Sequence, residues 1–237
     1  MEKLLYESCK QMNILLEQKQ INQFMKYKQL LLQWNQKMNL TAITEERDVI
    51  LKHFVDCVSV VNYINLQHCH TVIDVGTGAG FPGIPLKIVC PSIHITLLDS
   101  LQKRIYFLEE VIQELLLDSV ECVHSRAEDG GKSKKYREQY DCCVSRAVAN
   151  LSALLEYGLP FVKVGGVFIA LKGKEAAKEV EQSQKAMQVL GGELSDMIDV
   201  TIPNTDLNHK IVIVKKVKQT PMKYPRKAGK VLKNEIQ

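Results

Sequence analysis

Thr71-Val72-Ile73-Asp74-Val75-Gly76-Thr77-Gly78-Ala79-Gly80-Phe81-Pro82-Gly83 decides the fold. Val72, Ile73 and Val75 read as a short buried strand that stops at Gly76, Gly78, Gly80 and Gly83. Glycines so spaced let the backbone turn tightly and approach a ligand more closely than any side chain would permit. Pro82 falls where the next helix starts, fixing φ without losing a needed N–H. Strand, glycine loop and helix N-terminus together predict the cofactor cradle of an open α/β sheet.

Gly78-x-Gly80-x-x-Gly83 formally matches a dinucleotide fingerprint, and Asp74 changes its meaning. A carboxylate at the end of the strand, expected to face the crevice, suits an ammonium and a sulfonium and is poorly placed beside a pyrophosphate. The loop is therefore read as an S-adenosylmethionine site. A second strand, Ile93-His94-Ile95-Thr96-Leu97-Leu98-Asp99, ends in an acid 19 residues after Gly80. Asp99 there is expected to accept from the ribose hydroxyls of a nucleoside, or else to cap the helix beginning near Leu101.

The 237 residues are 46% hydrophobic and 24% charged, ordinary values for a globular chain with a sizeable core. No run is long enough for a membrane span, and Met1–Gln20 lacks the apolar core of a signal peptide. The seven cysteines form no Cys-x-x-Cys pair, and their odd number suits a reducing cytosol. His68-Cys69-His70 is set aside as a metal site, because adjacent ligands diverge and no second cluster closes a tetrahedron. Charge is unevenly spread. From Lys210 to Gln237 nine Lys/Arg face only Glu235, a net +8, which leaves −4 for residues 1–209 of a chain carrying +4 overall. A polyanion partner accounts for that asymmetry, as does a solvated end. Pro221, Tyr224 and Pro225 favour an extended arm with an aromatic able to stack on a base.

Residues 1–62 carry helical patterning, with Ile21, Phe24, Met25, Leu31, Leu32 and Trp34 as the apolar stripe. Asn39-Leu40-Thr41 breaks this helix, and Thr44 is the expected cap of another running to about Tyr63. From Thr71 the rhythm becomes strand–helix alternation, which predicts a parallel sheet with right-handed crossovers. Strands are expected at 71–75, 93–98, 119–123, 140–145 and 164–171, and helices near 82–90, 101–117, 149–160 and 174–190. The segments 193–202 and 210–218 are joined through Pro203-Asn204-Thr205-Asp206 without a helix. A terminal hairpin is the methyltransferase variation on the doubly wound sheet; dinucleotide enzymes continue with crossovers.

Ligands of such sheets sit above the carboxyl ends of the strands. The third strand ends in His124-Ser125-Arg126-Ala127-Glu128-Asp129, either a loop that reads an adenine edge, with Glu128 on its amino group, or a surface turn. The fourth ends in Cys142-Cys143-Val144-Ser145-Arg146-Ala147, at the acceptor position. No Asn/Asp-Pro-Pro-aromatic motif stands there, and the two cysteines are read as strand packing, not as a nucleophile. With no base or nucleophile in evidence, the acceptor is expected to carry its own lone pair, as guanine N7 does. Rate then rests on positioning and desolvation, and no catalytic side chain is assigned. Arg146 is expected to turn its charge toward an anion, since facing a methylated, cationic base it would oppose the transition state.

Asn39-Leu40-Thr41, His53-Phe54-Val55-Asp56, the loop Asp74–Gly83, Asp99-Ser100-x-x-Lys103-Arg104, Arg126-Ala127-Glu128, Ser145-Arg146-Ala147 and Tyr224-Pro225-Arg226-Lys227 together resemble the RsmG (GidB) family. These are bacterial small-subunit ribosomal RNA guanine-N7 methyltransferases. The resemblance runs from about Trp34 through the basic tail, departing at Cys57, where the family usually has serine. It implies a Rossmann-like class I S-adenosylmethionine-dependent methyltransferase fold, α/β, with an N-terminal helical extension (1–62), a methyltransferase domain (63–218) ending in a β-hairpin, and a basic tail (219–237). Gly76, Phe81, Ala127, Glu128 and Arg146 match the family's cofactor positions. Asp74, Gly76, Gly78, Gly80 and Phe81 would hold the methionine end, Asp99 the ribose, and Ala127 and Glu128 the adenine. Arg146 would bridge cofactor and acceptor. Lys132, Lys134, Lys135 and Arg137 of a basic loop, with Lys223, Arg226, Lys227 and Lys230 of the tail, would bind the backbone of 16S ribosomal RNA, naked or within the 30S subunit. The expected setting is the cytoplasm, without membrane or metal. The cofactor site, built from strand ends between Asp74 and Arg146, is expected to be independent of the tail. The rival readings are a nicotinamide-dependent oxidoreductase and an inactive RNA-binding relative.

Overall fold

Seven strands form one sheet in the order β3-β2-β1-β4-β5-β7-β6. They are β1 (Thr71–Val75), β2 (His94–Asp99), β3 (Val120–His124), β4 (Tyr140–Arg146), β5 (Val162–Lys172), β6 (Gly192–Thr201) and β7 (Asn208–Lys216). The structure is a computed structural model and describes residues 1–64, 69–146 and 149–236; His68 and Ala147 of the motifs above lie outside them. The first five strands run parallel, and β7 inserts antiparallel between β5 and β6. This is the class I methyltransferase topology with its terminal hairpin. Strand order reverses between β1 and β4, so the crevice opens over the carboxyl ends of β1, β2 and β4.

Alternation along the strands assigns each side chain to a face. Val72 of β1 and Cys142 and Val144 of β4 pack with the N-terminal helices, whereas Ile73, Val75 and Cys143 face the opposite layer. The first layer comprises α1 (Glu2–Gln11), α2 (Gln18–Met38), α5 (Gly83–Val89) and α6 (Gln102–Glu114). Leu5, Phe24, Leu31 and Phe54 share a continuous core with Leu97 and Phe107. The opposite layer comprises α8 (Leu151–Gly158), α9 (Ala176–Gln182) and α10 (Gln184–Leu190), where Leu155, Phe161, Phe168 and Val214 are buried.

Most element boundaries fall within a few residues of the sequence reading, and the exceptions have local causes. The expected helix 174–190 is two, meeting at Ser183, whose N–H reaches the carbonyls of both Glu179 and Val180. The segment expected to start at Thr44 instead has Glu45 as N-cap with no side-chain cap bond. It runs through α3 (Glu46–Asp48), a π-helical stretch Val49–Val55, α4 (Asp56–Val58) and a 3-10 turn Ser59–Tyr63.

The basic tail is not an extended arm. Lys216 Nζ, fully buried, donates to Leu159 O and Thr220 Oγ1. Arg137 donates to the carbonyls of Gly131, Thr220 and Tyr224, and Arg226 donates to both oxygens of the buried Glu156. Val231 is fully buried and Ser152 holds the Ile236 carbonyl. Arg137 and Arg226, expected among the RNA contacts, are instead tied down internally: a guanidinium with several fixed donors organises a carbonyl-rich turn and pairs with a buried carboxylate. Lys132, Lys134, Lys223, Lys227 and Lys230 are exposed, and Lys135, also exposed, pairs with Glu121 at 2.6 Å.

Candidate active site

The glycine loop is held from three sides. Gly76 and Thr77 donate to Leu98 O at 2.9 and 3.1 Å, Gly80 and Phe81 donate to Thr77 O, and the Tyr27 hydroxyl of α2 donates to Ala79 O. A Cβ on Gly80 would come within 2.7 Å of the Tyr27 hydroxyl and of Ile84, so glycine is required there for packing. Gly78 differs. Its φ is +62°, and among the described residues beyond its chain neighbours a Cβ would meet nothing nearer than Gly76 O at 4.0 Å, because that side faces a cavity of about 620 Å³.

Asp74 does not line this cavity, correcting the expectation that it faces the crevice. Alternation on β1 puts it on the Val72 side, beneath the start of α5, fully buried. Its Oδ2 accepts from Thr77 Oγ1 at 2.6 Å and from Gly83 N at 2.8 Å, bracing both ends of the loop, while Oδ1 has no partner among the described residues. Burial raises the carboxyl to about 7, outweighing those two hydrogen bonds and the pull of Arg146. An acid whose pKa is higher in the folded than in the unfolded state stabilises the fold fully below the unfolded value, and loses that contribution as pH rises to the folded one. The window is about pH 4 to 7. Asp74→Asn keeps the shape and does not titrate. Between pH 5 and pH 7.5 the melting temperature of the cofactor-free wild type should therefore fall relative to the Asn variant, by roughly 3 °C or more. Parallel pH curves for the two proteins would refute this.

Asp99 ties the glycine loop to the start of α6. It ends β2 on the cavity wall, with Oδ2 accepting from Gly78 N and Oδ1 from Leu101 N, both at 2.9 Å, and Arg104 pairs with Oδ2 at 3.1 Å. Ala127 and Glu128, at the start of α7 (Ala127–Gly130), line the same cavity, as do Leu154 and Tyr157 from α8. Acceptors at Asp99 and Glu128 beside apolar Leu98 and Leu154 fit a nucleoside. The space glycine leaves over residue 78 fits a chain lying close to the backbone.

Arg146 and Phe81 mark the other end. Arg146 lies on the Val144 side of β4, facing the N-terminal helices, and stacks over the Phe81 ring at 4.8 Å. Its Nη1 donates to Asp56 Oδ2 at 2.9 Å and to Lys52 O, and its Nη2 donates to His53 Nδ1 at 3.0 Å. His53 stacks on the Phe81 ring with centroids 4.5 Å apart, and its Nε2 meets Thr41 Oγ1 at 2.8 Å. Burial and the adjacent Arg146 lower His53 to about 3, so the ring is neutral. With Nδ1 accepting from Arg146, the proton sits on Nε2 and is donated to Thr41. His209 Nδ1 of β7 lies 2.8 Å from Asp56 Oδ1 without hydrogen-bond alignment. Burial pushes Asp56 up, but His209 and Arg146 outweigh it and hold the carboxyl below its ordinary value. The positive charge of Arg146 is thus matched by an anion on the side away from the cavity. Cys142 and Cys143 are fully buried in β4 with thiols raised far above their ordinary value, Cys143 through burial.

Residues 20–208 match the family model described as rRNA small subunit methyltransferase G. The chain belongs to this family. It is 57% identical to the ribosomal RNA small subunit methyltransferase G of Alkaliphilus oremlandii (strain OhILAs), over 98% of both chains. It is 47% identical to that of Clostridium tetani (strain Massachusetts / E88), again over 98% of both. Among solved structures, an S-adenosylmethionine-dependent O-methyltransferase from Thermotoga maritima superposes with a TM-score of 0.54 at 15% identity, covering 81% of this chain and 72% of that one. A precorrin-6y C5,15-methyltransferase from Geobacter metallireducens superposes at 0.53 and 14% identity, covering 76% and 92%. These two likenesses concern the fold. Family membership leaves the oxidoreductase and inactive-relative readings without support.

The structure therefore brings together Gly76, Gly78, Phe81, Asp99, Ala127, Glu128 and Arg146 around one cavity, with Gly80 and Asp74 supporting it from behind. Sequence reasoning missed Tyr27, Leu154, Tyr157, Gly229 and Leu232. The last two belong to the tail, which the strand-end pattern alone does not bring to the cavity. Tyr27 lies in the helical stripe, where nothing separates a loop brace from a core aromatic. His53 and Asp56 were legible only through the family motif.

Proposed function

We propose that this chain transfers the methyl group of S-adenosylmethionine to N7 of a guanine in small-subunit ribosomal RNA. The observation that carries the acceptor chemistry is the absence of a free base beside Arg146 among the described residues: the neutral His53 has both ring nitrogens bonded, and Cys57, Cys142 and Cys143 are buried. An aromatic lone pair needs no proton removed, so such a site suits it. When bound, S-adenosylmethionine supplies an electrophilic methyl on a sulfonium. Asp99 and Glu128 would hold the nucleoside, and the loop from Gly76 to Phe81 the methionine end. Arg146 would orient groups at the boundary, and Asp56 keeps its charge from opposing the cation that forms on the base. Lys132, Lys134, Lys223, Lys227 and Lys230, exposed on one loop and the tail, would meet RNA phosphates, with Lys135 available once it leaves Glu121. No described helix is long and apolar enough to cross a membrane, in keeping with action on ribosomal RNA in the cytoplasm.

The test is methylation of small-subunit ribosomal RNA from cells lacking this protein, read by mass spectrometry. One new N7-methylguanosine is expected, with a saturated rate nearly flat from about pH 6.5 to 8.5. A rate rising roughly tenfold per pH unit across that range would indicate an essential base and another acceptor atom.

A further inference from the structure

Arg226 closes the tail into an arch. Its Nε and Nη2 donate to Glu156, which is fully buried on α8, and its Nη1 donates to the carbonyl of Asn234 at 2.7 Å. The intervening residues 227–233 are thereby held as a loop against α8. Val231 is fully buried and pins the middle of the arch, while Ser152 and Asn150 hold Ile236 and Glu235 beyond its far end. The same helix contributes Leu154 and Tyr157 to the wall of the cofactor cavity, and from the arch Gly229 and Leu232 complete that wall. Leu232 remains 60% exposed although Val231 beside it is fully buried. It is an apolar side chain on the lip of a cavity, held in place by its neighbours and with little of its own surface packed. A flat apolar partner inside the cavity would give it the contact it lacks.

We propose that the arch Arg226–Asn234 is a cofactor-binding element, with Leu232 packing against the nucleoside end of S-adenosylmethionine opposite Glu128. This rests on the reading of the cavity as the S-adenosylmethionine site. Glu128 and Tyr157 are close enough for their charges to interact, and the arch is fastened to α8, which carries Tyr157, so Leu232 joins the cavity wall on the side assigned to the nucleoside. The lysines of the arch, Lys227, Lys230 and Lys233, are exposed. One short segment therefore presents cations to solvent and an apolar wall to the cofactor.

Calorimetric titration of the full-length wild type, Leu232→Ala and Leu232→Met with S-adenosylhomocysteine tests the assignment without requiring activity. Leu232→Ala should weaken binding about fivefold to tenfold, and Leu232→Met, which restores apolar reach, should stay within about twofold of wild type. Melting of the ligand-free proteins should coincide, since the side chain is mostly in solvent; a large drop for the Ala variant would mean that the residue serves folding and would overturn the proposal. Equal affinity of Leu232→Ala and wild type would also overturn it. A wild type that binds no S-adenosylhomocysteine would instead remove the reading of the cavity itself.

Discussion

Gly78→Val should raise the dissociation constant for S-adenosylhomocysteine at least about 100-fold, equivalent to about 2.7 kcal/mol, while the protein still folds. The two halves of that outcome have separate physical origins. A Cβ on residue 78 meets no atom of the described residues beyond its chain neighbours closer than 4.0 Å, so the branch point displaces nothing in the core. It does enter the space over the loop, where the proposed cofactor site requires a close approach to the backbone. The φ of +62° imposes strain on any L-residue, about 1–3 kcal/mol, which a domain of ordinary stability survives. Gly83→Ala provides the contrast. Its Cβ would press on the Asp74 carboxylate at 2.8 Å and on Leu97, so it should lose stability as well as binding. Titration calorimetry beside thermal melting distinguishes the cases. A Gly78→Val protein that binds with wild-type affinity would place the cofactor elsewhere.

Asp56→Ala should destabilise the fold by about 3–5 kcal/mol, because it leaves the Arg146 guanidinium buried without its anion. Arg146 and Asp56 have side chains only 15% and 8% exposed, so water cannot replace the lost partner. Asp56→Asn retains an acceptor for Arg146 Nη1 and should cost less. The expected order of melting temperatures is wild type, Asn, Ala, with the Ala variant lower by about 6–20 °C. If Ala and wild type melt together, the buried pair contributes nothing and Arg146 is held by His53 and the Lys52 carbonyl alone.

The sequence determined what depends on local pattern. Alternating strands and helices, a glycine loop between the first strand and its helix, and a helix-free final connection specify the sheet and its terminal hairpin, because period, turn chemistry and connection length are local properties. Gly78 and Asp99 were legible as cavity residues because the topology delivers the carboxyl ends of β1 and β2 to one crevice, whereas Ala127 and Glu128, open between an adenine loop and a surface turn, were picked out by the family motif. Tertiary structure alone decided which face each strand-end residue uses. Asp74 and Arg146 both fall on the side of the N-terminal helices, so Asp74 braces the loop from beneath. Arg146 meets Asp56 and His53, which lie 90 and 93 residues away in sequence. The tail shows the same limit most plainly. Its composition is that of a solvated basic arm, yet Arg226 finds a buried Glu156 and Val231 finds the core, and so Leu232 reaches the cavity. A charge count cannot reveal such pairing, because it depends on contacts made only once the chain has folded.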